Sequence, residues 1–389
     1  MPAHHAYARA AIAAVYNTRQ ARILEGHNSL TITLEAARSL LANAEVDRRS
    51  IDGVIGQHAA EVAYLLGLGP VWQSFNGLGI RSILEAAGAI SAGHCEQVLI
   101  VGGGAGDYVE RASTAPWTRP SNEFVEPFGL YTAVEFALIA RRHMHLFGTR
   151  PEDLATVSAL IRNNGHLNPE AVYFGRGPYS VEDILASRMI ASPFHLFDCA
   201  LTSEGGCALL MARAERAREL VAKPVYIHGA GIDQLGPAYR HPPSWDLSAA
   251  DGEGGPAGLI GRRAARQAFN MAGLSNEDVD CLELYDPFSF EVIRQLEAFG
   301  FCEIGDGGGF VSDGNVGFGG RYPLNTDGGL LSFSHSGTAQ LLQRAIRAVE
   351  QIQGTCSVGQ VPGAEVVLCS NGGAGALFCD VLILGGQPP

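Results

Sequence analysis

The stretch Glu96-Gln-Val-Leu-Ile-Val-Gly-Gly-Gly-Ala-Gly106 returns as Glu365-Val-Val-Leu-Cys-Ser-Asn-Gly-Gly-Ala-Gly375, 269 residues downstream. Each copy reads as a buried β-strand that leaves through a glycine turn. A segment with helical spacing precedes each one, Ile80–Ala92 in the first case and Ala339–Gln351 in the second. A second echo lies upstream. Ala36-Ala-Arg38, Ala44, Val46, Ile51 and Asp52 recur in order as Ala264-Ala-Arg266, Ala272, Leu274, Val279 and Asp280, at an offset of 228. Both read as an amphipathic helix, a turn and a strand, the strands being Gly53–Ile55 and Cys281–Leu284. Two halves that share this order point to a duplicated α/β fold, with loops of different length absorbing the unequal offsets. Chance similarity of alanine-rich helices is the weaker explanation.

The expected division is an N-terminal half, 1–226, and a C-terminal half, 227–389. Between the repeats, Ser113–Tyr226 has no counterpart in the second half and reads as an inserted loop domain. It carries helical spacing at Tyr131–Phe147, Pro151–Asn163 and Val181–Ile190. A long insertion of this kind is usually a lid or a binding region on the core. Its aromatic residues Trp117, Phe124, Phe128, Tyr131, Tyr173 and Phe174 fit a roomy apolar pocket, and fit a packed core equally well.

With 47% hydrophobic and 17% charged residues over 389 positions, the chain can bury a large core. Its 49 glycines suit many tight strand-to-helix turns rather than a helical bundle. A formal charge of −13 argues against nucleic acid as a partner. No C-x-x-C pair occurs among the eight cysteines, which fits reduced thiols and a cytoplasmic location. Apolar runs such as Val98–Val101 are too short to span a bilayer, and Ala10–Val15 is too short for a secretory signal.

Gly102–Asp107 invites a dinucleotide reading, but no helix with an acidic ribose partner follows, and its echo explains it better as a strand-end turn. His143 and His145 stand two apart in an apparent helix and so do not share a face, which argues against a shared metal. Three segments carry more. Glu283-Leu-Tyr-Asp-Pro-Phe288 ends a buried strand in polar residues. Asn325–Thr338 is a glycine loop that delivers His335 to a helix N-terminus. Cys369–Gly375 places a cysteine at a strand tip before glycines. Strand tips and helix N-termini are where α/β folds gather exposed side chains and unpaired N–H groups.

These segments, with Ile51–Ile55, Val98–Gly103, Ala140–His145 and Val181–Ile190, make the sequence resemble the thiolase superfamily over nearly its whole length, especially sterol-carrier-type thiolases and their lipid-transfer-like relatives. The resemblance implies a duplicated thiolase fold, two βαβαβαββ-type halves in a five-layered α-β-α-β-α arrangement with an inserted loop domain. It also implies four catalytic loops. The first, C-x-S-G in thiolases, is Asn76-Gly77-Leu-Gly79 here, so the acyl-accepting cysteine is absent. A carboxamide cannot become an acyl-enzyme. The second loop is Tyr285-Asp286-Pro-Phe288, with a phenol where the family has Asn or His, and it looks like that of the cysteine-less steroid side-chain aldolases. A phenol can donate to a thioester oxygen or shuttle a proton. The third is Ser334-His335-Ser336-Gly337, and its histidine in the family helps to form an oxyanion hole. The fourth, C-x-G-G-G-x-G, is Cys369-Ser-Asn371-Gly372-Gly-Ala-Gly375, which sets Cys369 where thiolases keep the proton-moving cysteine, with Asn371 replacing a glycine.

The resemblance thus implies an aldolase or retro-aldolase acting on a β-hydroxyacyl-CoA with a steroid or other bulky acyl group. Tyr285, His335 and Cys369 would be catalytic, His335 binding the enolate oxygen and Tyr285 or Cys369 moving protons. Asn76, Gly77, Gly79, Asp286, Phe288, Ser336, Gly337, Asn371 and Gly372 would line the substrate. No metal and no bound cofactor is implied, coenzyme A entering as the substrate thioester. A homodimer and a separate small subunit with an oligonucleotide-fold barrel or zinc ribbon are the implied partners. Two alternatives stay open: an acyltransferase using an atypical nucleophile such as Cys369, and a non-catalytic acyl-CoA or lipid-binding subunit.

Overall fold

The computed structural model describes residues 5–77, 79–106, 132–234, 260–373 and 377–389. The first half runs β1 (Ala10–Asn17), α1 (Ser29–Asn43), β2 (Gly53–Gly56), α2 (Ala59–Leu66), β3 (Trp72–Ser74), α3 (Ile80–Ala92) and β4 (Gln97–Gly104). Helices α4 (Thr132–Phe147), α5 (Pro151–Leu167) and α6 (Val181–Ala186) follow, then a small hairpin of β5 (Met189–Ala191) and β6 (Phe194–His195), before β7 (Gly205–Arg213) and α7 (Ala214–Leu220). The second half is β8 (Val225–Gln234), α8 (Arg262–Ala272), β9 (Cys281–Glu283), α9 (Ser289–Ala298), α10 (Gly307–Ser312), α11 (Gln340–Gln353), β10 (Val366–Gly373) and β11 (Phe378–Gly385).

Nine strands form one hydrogen-bonded sheet in the order β3-β2-β4-β7-β1-β8-β11-β10-β9. The duplication is visible in that order. Reading outward from the centre, β1-β7-β4-β2-β3 is answered by β8-β11-β10-β9, and a parallel bridge from Leu282 to Leu324 stands where β3 stands beside β2. Among the described residues, the two half-sheets are joined in one ladder by the pairs Ala11 with Tyr226 and Ile12 with Val225.

Three apolar clusters show five layers. On β4, Leu99 and Val101 face outward onto α1 and α2 through Ala36, Leu40 and Val62. Val98 and Ile100 face inward, where Ile83 and Ile90 of α3 and Ile346 and Val349 of α11 lie between the half-sheets against Val367 and Leu382. Beyond the second half, α8 and α9 pack Ala264, Ala268, Ile293 and Leu296 onto Leu282, Leu368 and Val381. Both faces of each half-sheet are covered, which is why its strands are continuous apolar runs without polar alternation.

The structure moves several sequence expectations. The glycines Gly102–Gly104 and Gly372–Gly373 continue their strands rather than forming the turn. Two of them have no room for a side chain: a methyl group on Gly104 would stand 2.7 Å from the Gly337 Cα of a second backbone, and one on Gly103 would stand 2.5 Å from Thr33 Oγ1. Cys369 is accordingly the fourth residue of the eight-residue β10 and not at its tip. The helix expected over Val181–Ile190 stops at Ala186, where the Ser187 hydroxyl donates to the Ile184 carbonyl at 2.7 Å and the chain turns extended into β5. Within the span Ser113–Tyr226, β7 is a strand of the central sheet. Trp117, Phe124, Phe128 and Tyr131 lie outside the described residues. Among the described residues no helix is long and apolar enough to cross a membrane.

Candidate active site

The first and fourth loops meet at Gly79. Its φ of +57° and its contacts require the absence of a side chain: a methyl group would fall 2.0 Å from the Leu341 carbonyl oxygen and 2.5 Å from Asn371 Nδ2. This seats the N-terminus of α3 directly on α11 and on the end of β10. Gly77 faces the Thr338 side chain in the same way, at 3.3 Å from a built methyl position. Asn76 precedes this junction. Its carboxamide donates to Glu85 Oε2 at 3.0 Å, and its carbonyl accepts from the Ser82 hydroxyl at 2.7 Å. The Asn76 side chain is thus committed to α3.

Tyr285 is 6% exposed and packs with Leu330, Leu341 and the half-buried Ala200. Its backbone is clamped from both sides, its N–H donating to Ser370 Oγ at 3.0 Å and its carbonyl accepting from Gln295 Nε2 at 2.7 Å. The ring lies over Gly372, where a methyl group would come within 3.2 Å of it. The fourth loop therefore supports the phenol through two glycines and a serine. Ala374 and Gly375 of that loop, and Leu78 of the first, lie outside the described residues.

The third loop is held by a buried polar floor. Asn325, at a positive φ of 43°, exchanges both amide bonds with the backbone of Leu284, at 2.7 and 2.9 Å, extending the end of β9. Arg344 on α11 bridges Glu283 at 2.8 Å and Asp327 at 2.6 Å. Burial pushes Asp327 upward, but the Arg344 and Arg347 guanidiniums and the Gly329 N–H together outweigh it and hold the carboxyl below its ordinary value. Glu283 is raised, by burial and by the neighbouring Asp327. Asp286 accepts from the N–H groups of Leu330 at 2.9 Å and Leu331 at 3.3 Å, pinning the single π-helical turn Gly329–Phe333 that precedes His335. Burial raises the Asp286 carboxyl to about 7, against the pull of Arg344 and those N–H groups.

His335 is 4% exposed. Its backbone N–H donates to Ser203 Oγ at 2.8 Å, and its imidazole is hydrogen-bonded to the Leu201 backbone, whose carbonyl can only accept. Burial lowers its pKa to about 3, more than the Leu201 carbonyl restores, so the ring is neutral at physiological pH. The segment 199–203 joins this loop to the second: Ala200 N–H donates to the Pro287 carbonyl at 2.8 Å and Leu201 N–H to the Leu330 carbonyl at 3.2 Å. Tyr285 and His335 thus sit on loops tied by one strip of backbone.

The neutral ring has a pH consequence. The folded pKa lies below the unfolded one of about 6.5, so the unfolded chain binds the extra proton between pH 6.5 and 3. Stability should fall across that window with an added slope of up to about 1.4 kcal/mol per pH unit, present in the wild type and absent in His335→Gln. Denaturant unfolding at pH 7, 6, 5 and 4 reads this, and equal slopes would contradict it.

The remaining expected residues separate. Cys369 is fully buried among apolar neighbours between the half-sheets, and burial drives its thiol pKa far up. Asn371, two residues nearer the end of β10, is the side chain that reaches Gly79. Phe288 points into the outer core, stacked on Phe194 with centroids 5.0 Å apart and beside Phe136 at 4.9 Å. Ser336 and Asp286 are wholly buried, Ser336 in a network with Ser334, Ser203 and Gln20. Gly337 meets Gly104. Sequence reasoning passed over Ser370, Gln295, the 199–203 strip and Arg344. Only Arg344 carried a signal, as a cation one turn from Leu341 and Ala348 on a largely buried helix.

Fold and site together define a thiolase-fold protein. The family model for the thiolase C-terminal domain-like region matches residues 259–386. A 17-hydroxy-3-oxo-4-pregnene-20-carboxyl-CoA lyase of Mycobacterium tuberculosis is 32% identical over 371 residues, covering 89% of this chain and 92% of that one. A steroid side-chain-cleaving aldolase of Thermomonospora curvata is 31% identical, covering 89% and 91%. The solved Ltp2-ChsH2(DUF35) aldolase superposes with a TM-score of 0.83 at 31% identity, over 97% of this chain and 98% of that one. The chain belongs to the thiolase superfamily, in the branch that holds the steroid side-chain-cleaving aldolases.

Proposed function

We propose that this chain is a carbon–carbon lyase that cleaves the Cα–Cβ bond of a β-hydroxyacyl-CoA without an acyl-enzyme. Asn76 carries the reading: a carboxamide bonded to Glu85 replaces the nucleophile, while groups suited to enolate chemistry are kept. In the cleavage the β-hydroxyl loses its proton and its oxygen becomes a carbonyl. The Cα–Cβ electron pair moves onto the thioester as an enolate, and the α-carbon then takes a proton. A ketone or aldehyde and a shortened acyl-CoA leave.

The neutral state of His335 favours an exchange of the roles that the resemblance implied. A neutral imidazole has one donor and one acceptor nitrogen. The Leu201 carbonyl takes the donor, so His335 presents an acceptor to the β-hydroxyl. An enolate forming about 4 Å away would raise its proton affinity by about 3 pKa units at an effective dielectric near 20, enough to make it a competent base. Tyr285 then donates to the thioester oxygen where the charge develops. Cys369 takes no part, its thiol being both buried and too weakly acidic.

The relatives' names support a bulky steroid-like acyl group. The working unit is a homodimer with a separate small subunit, the small subunit being supported by the name of the similar structure, an Ltp2-ChsH2(DUF35) aldolase. Eight unpaired cysteines favour the reducing cytoplasm. The test is product stoichiometry from a synthetic β-hydroxyacyl-CoA: one carbonyl product per shortened acyl-CoA, formed without free coenzyme A. Shortening only when coenzyme A is added would point to acyl transfer, and tight binding without products to a binding subunit.

A further inference from the structure

The strip that joins the Tyr285 and His335 loops is held from behind by one side chain. Arg162, on α5, is 1% exposed. Its Nε donates to the Phe197 carbonyl at 2.8 Å and its Nη2 to the Cys199 carbonyl at 2.9 Å. The guanidinium lies against two rings, 5.0 Å from the centroid of Phe197 and 5.3 Å from that of Tyr173. The other fully buried arginines, Arg294 and Arg344, pair with carboxylates. Arg162 forms no ion pair among the described residues. The acid that follows Phe197, Asp198, is occupied by the hydroxyls of Ser158 at 2.7 Å and Ser289 at 2.9 Å. An unpaired buried cation is costly to keep, and a neutral donor would satisfy two carbonyls at lower desolvation cost. Stability alone therefore does not account for it.

What the guanidinium adds is a rigid fork. It fixes two carbonyls of the chain, two residues apart, immediately before Ala200 and Leu201. Ala200 packs on Tyr285 and bonds to Pro287, and Leu201 bonds through its N–H to Leu330 and through its carbonyl to the imidazole of His335. We infer that Arg162 is a positioning residue for carbon–carbon cleavage, fixing the 197–201 backbone so that the Leu201 carbonyl sets the orientation and tautomer of His335. The kinetic side of this inference rests on the lyase reading.

Two variants and two readouts test it. Arg162→Lys keeps the charge but loses the fork, and Arg162→Met loses both. The kcat for carbonyl release should fall about 10-fold in the first and about 100-fold in the second, with KM moving less than about threefold. A merely structural role would lower the thermal midpoint and the folded fraction while leaving kcat per folded molecule intact, and that result would overturn the proposal. The second readout is the ring-nitrogen NMR signal of His335, assigned by its loss in His335→Gln. A single tautomer in the wild type and a mixture in Arg162→Met would support the proposal. An unchanged signal would overturn it even if kcat falls, because Arg162 would then act by another route. If the wild type cleaves no β-hydroxyacyl thioester, the lyase reading fails separately, and the NMR signal alone decides the role of Arg162.

Discussion

Tyr285→Phe should lower carbon–carbon cleavage about 100- to 1,000-fold, the loss of one oriented donor worth about 3–4 kcal/mol. The ring is expected to stay in place, because what holds it is backbone: Ser370 and Gln295 bind the main chain of Tyr285, and Gly372 lies under the ring. Only the hydroxyl is removed. Loss should therefore appear in kcat far more than in KM, with the unfolding midpoint close to that of the wild type. Carbonyl release under saturating thioester, with a thermal melt as control, measures both. A variant within threefold of the wild type would take the phenol out of the reaction.

The largest effect on stability is expected from Arg344→Met. Its guanidinium bridges Glu283 and Asp327 beneath the His335 loop, and its removal leaves two carboxylates in a dry core. Breaking a buried pair from one side costs about 3–5 kcal/mol, since the partner charge stays behind. Both carboxyls would then resist ionisation, so the folded variant would bind protons that the unfolded chain has already released. The penalty should shrink as pH falls towards the ordinary carboxylate range and grow towards neutrality. Urea unfolding of both proteins at pH 5 and pH 8 checks the sign as well as the size. A pH-independent difference would mean that Arg344 contributes packing rather than charge.

The duplication was legible in the sequence because both halves kept the same buried strands, and the topology β1-β7-β4-β2-β3 against β8-β11-β10-β9 repeats it. The four loops were legible through resemblance, and Asn76 and Tyr285 stand out as departures from a known pattern. Side-chain direction was not. A strand residue alternates faces, so which side of the sheet Cys369 meets depends on how far β10 runs, and Gly104, which looks like part of a turn in sequence, is here a close approach to the backbone of Gly337. Phe288 was misjudged for a related reason: the strip at Cys199 pairs with it and turns it outward onto Phe194. The contributions of Arg162 and the 199–203 strip come from tertiary hydrogen bonds to carbonyl groups, which leave no trace in residue type.

The central physical claim is that the acyl chain is cleaved between Cα and Cβ, with the thioester left intact and no bond formed to the protein. Intact-protein mass spectrometry during steady turnover of a β-hydroxyacyl-CoA tests this most directly. The account predicts an unshifted protein mass throughout, while carbonyl product accumulates in step with shortened acyl-CoA. A protein species heavier by the acyl group, appearing and decaying with turnover, would contradict it.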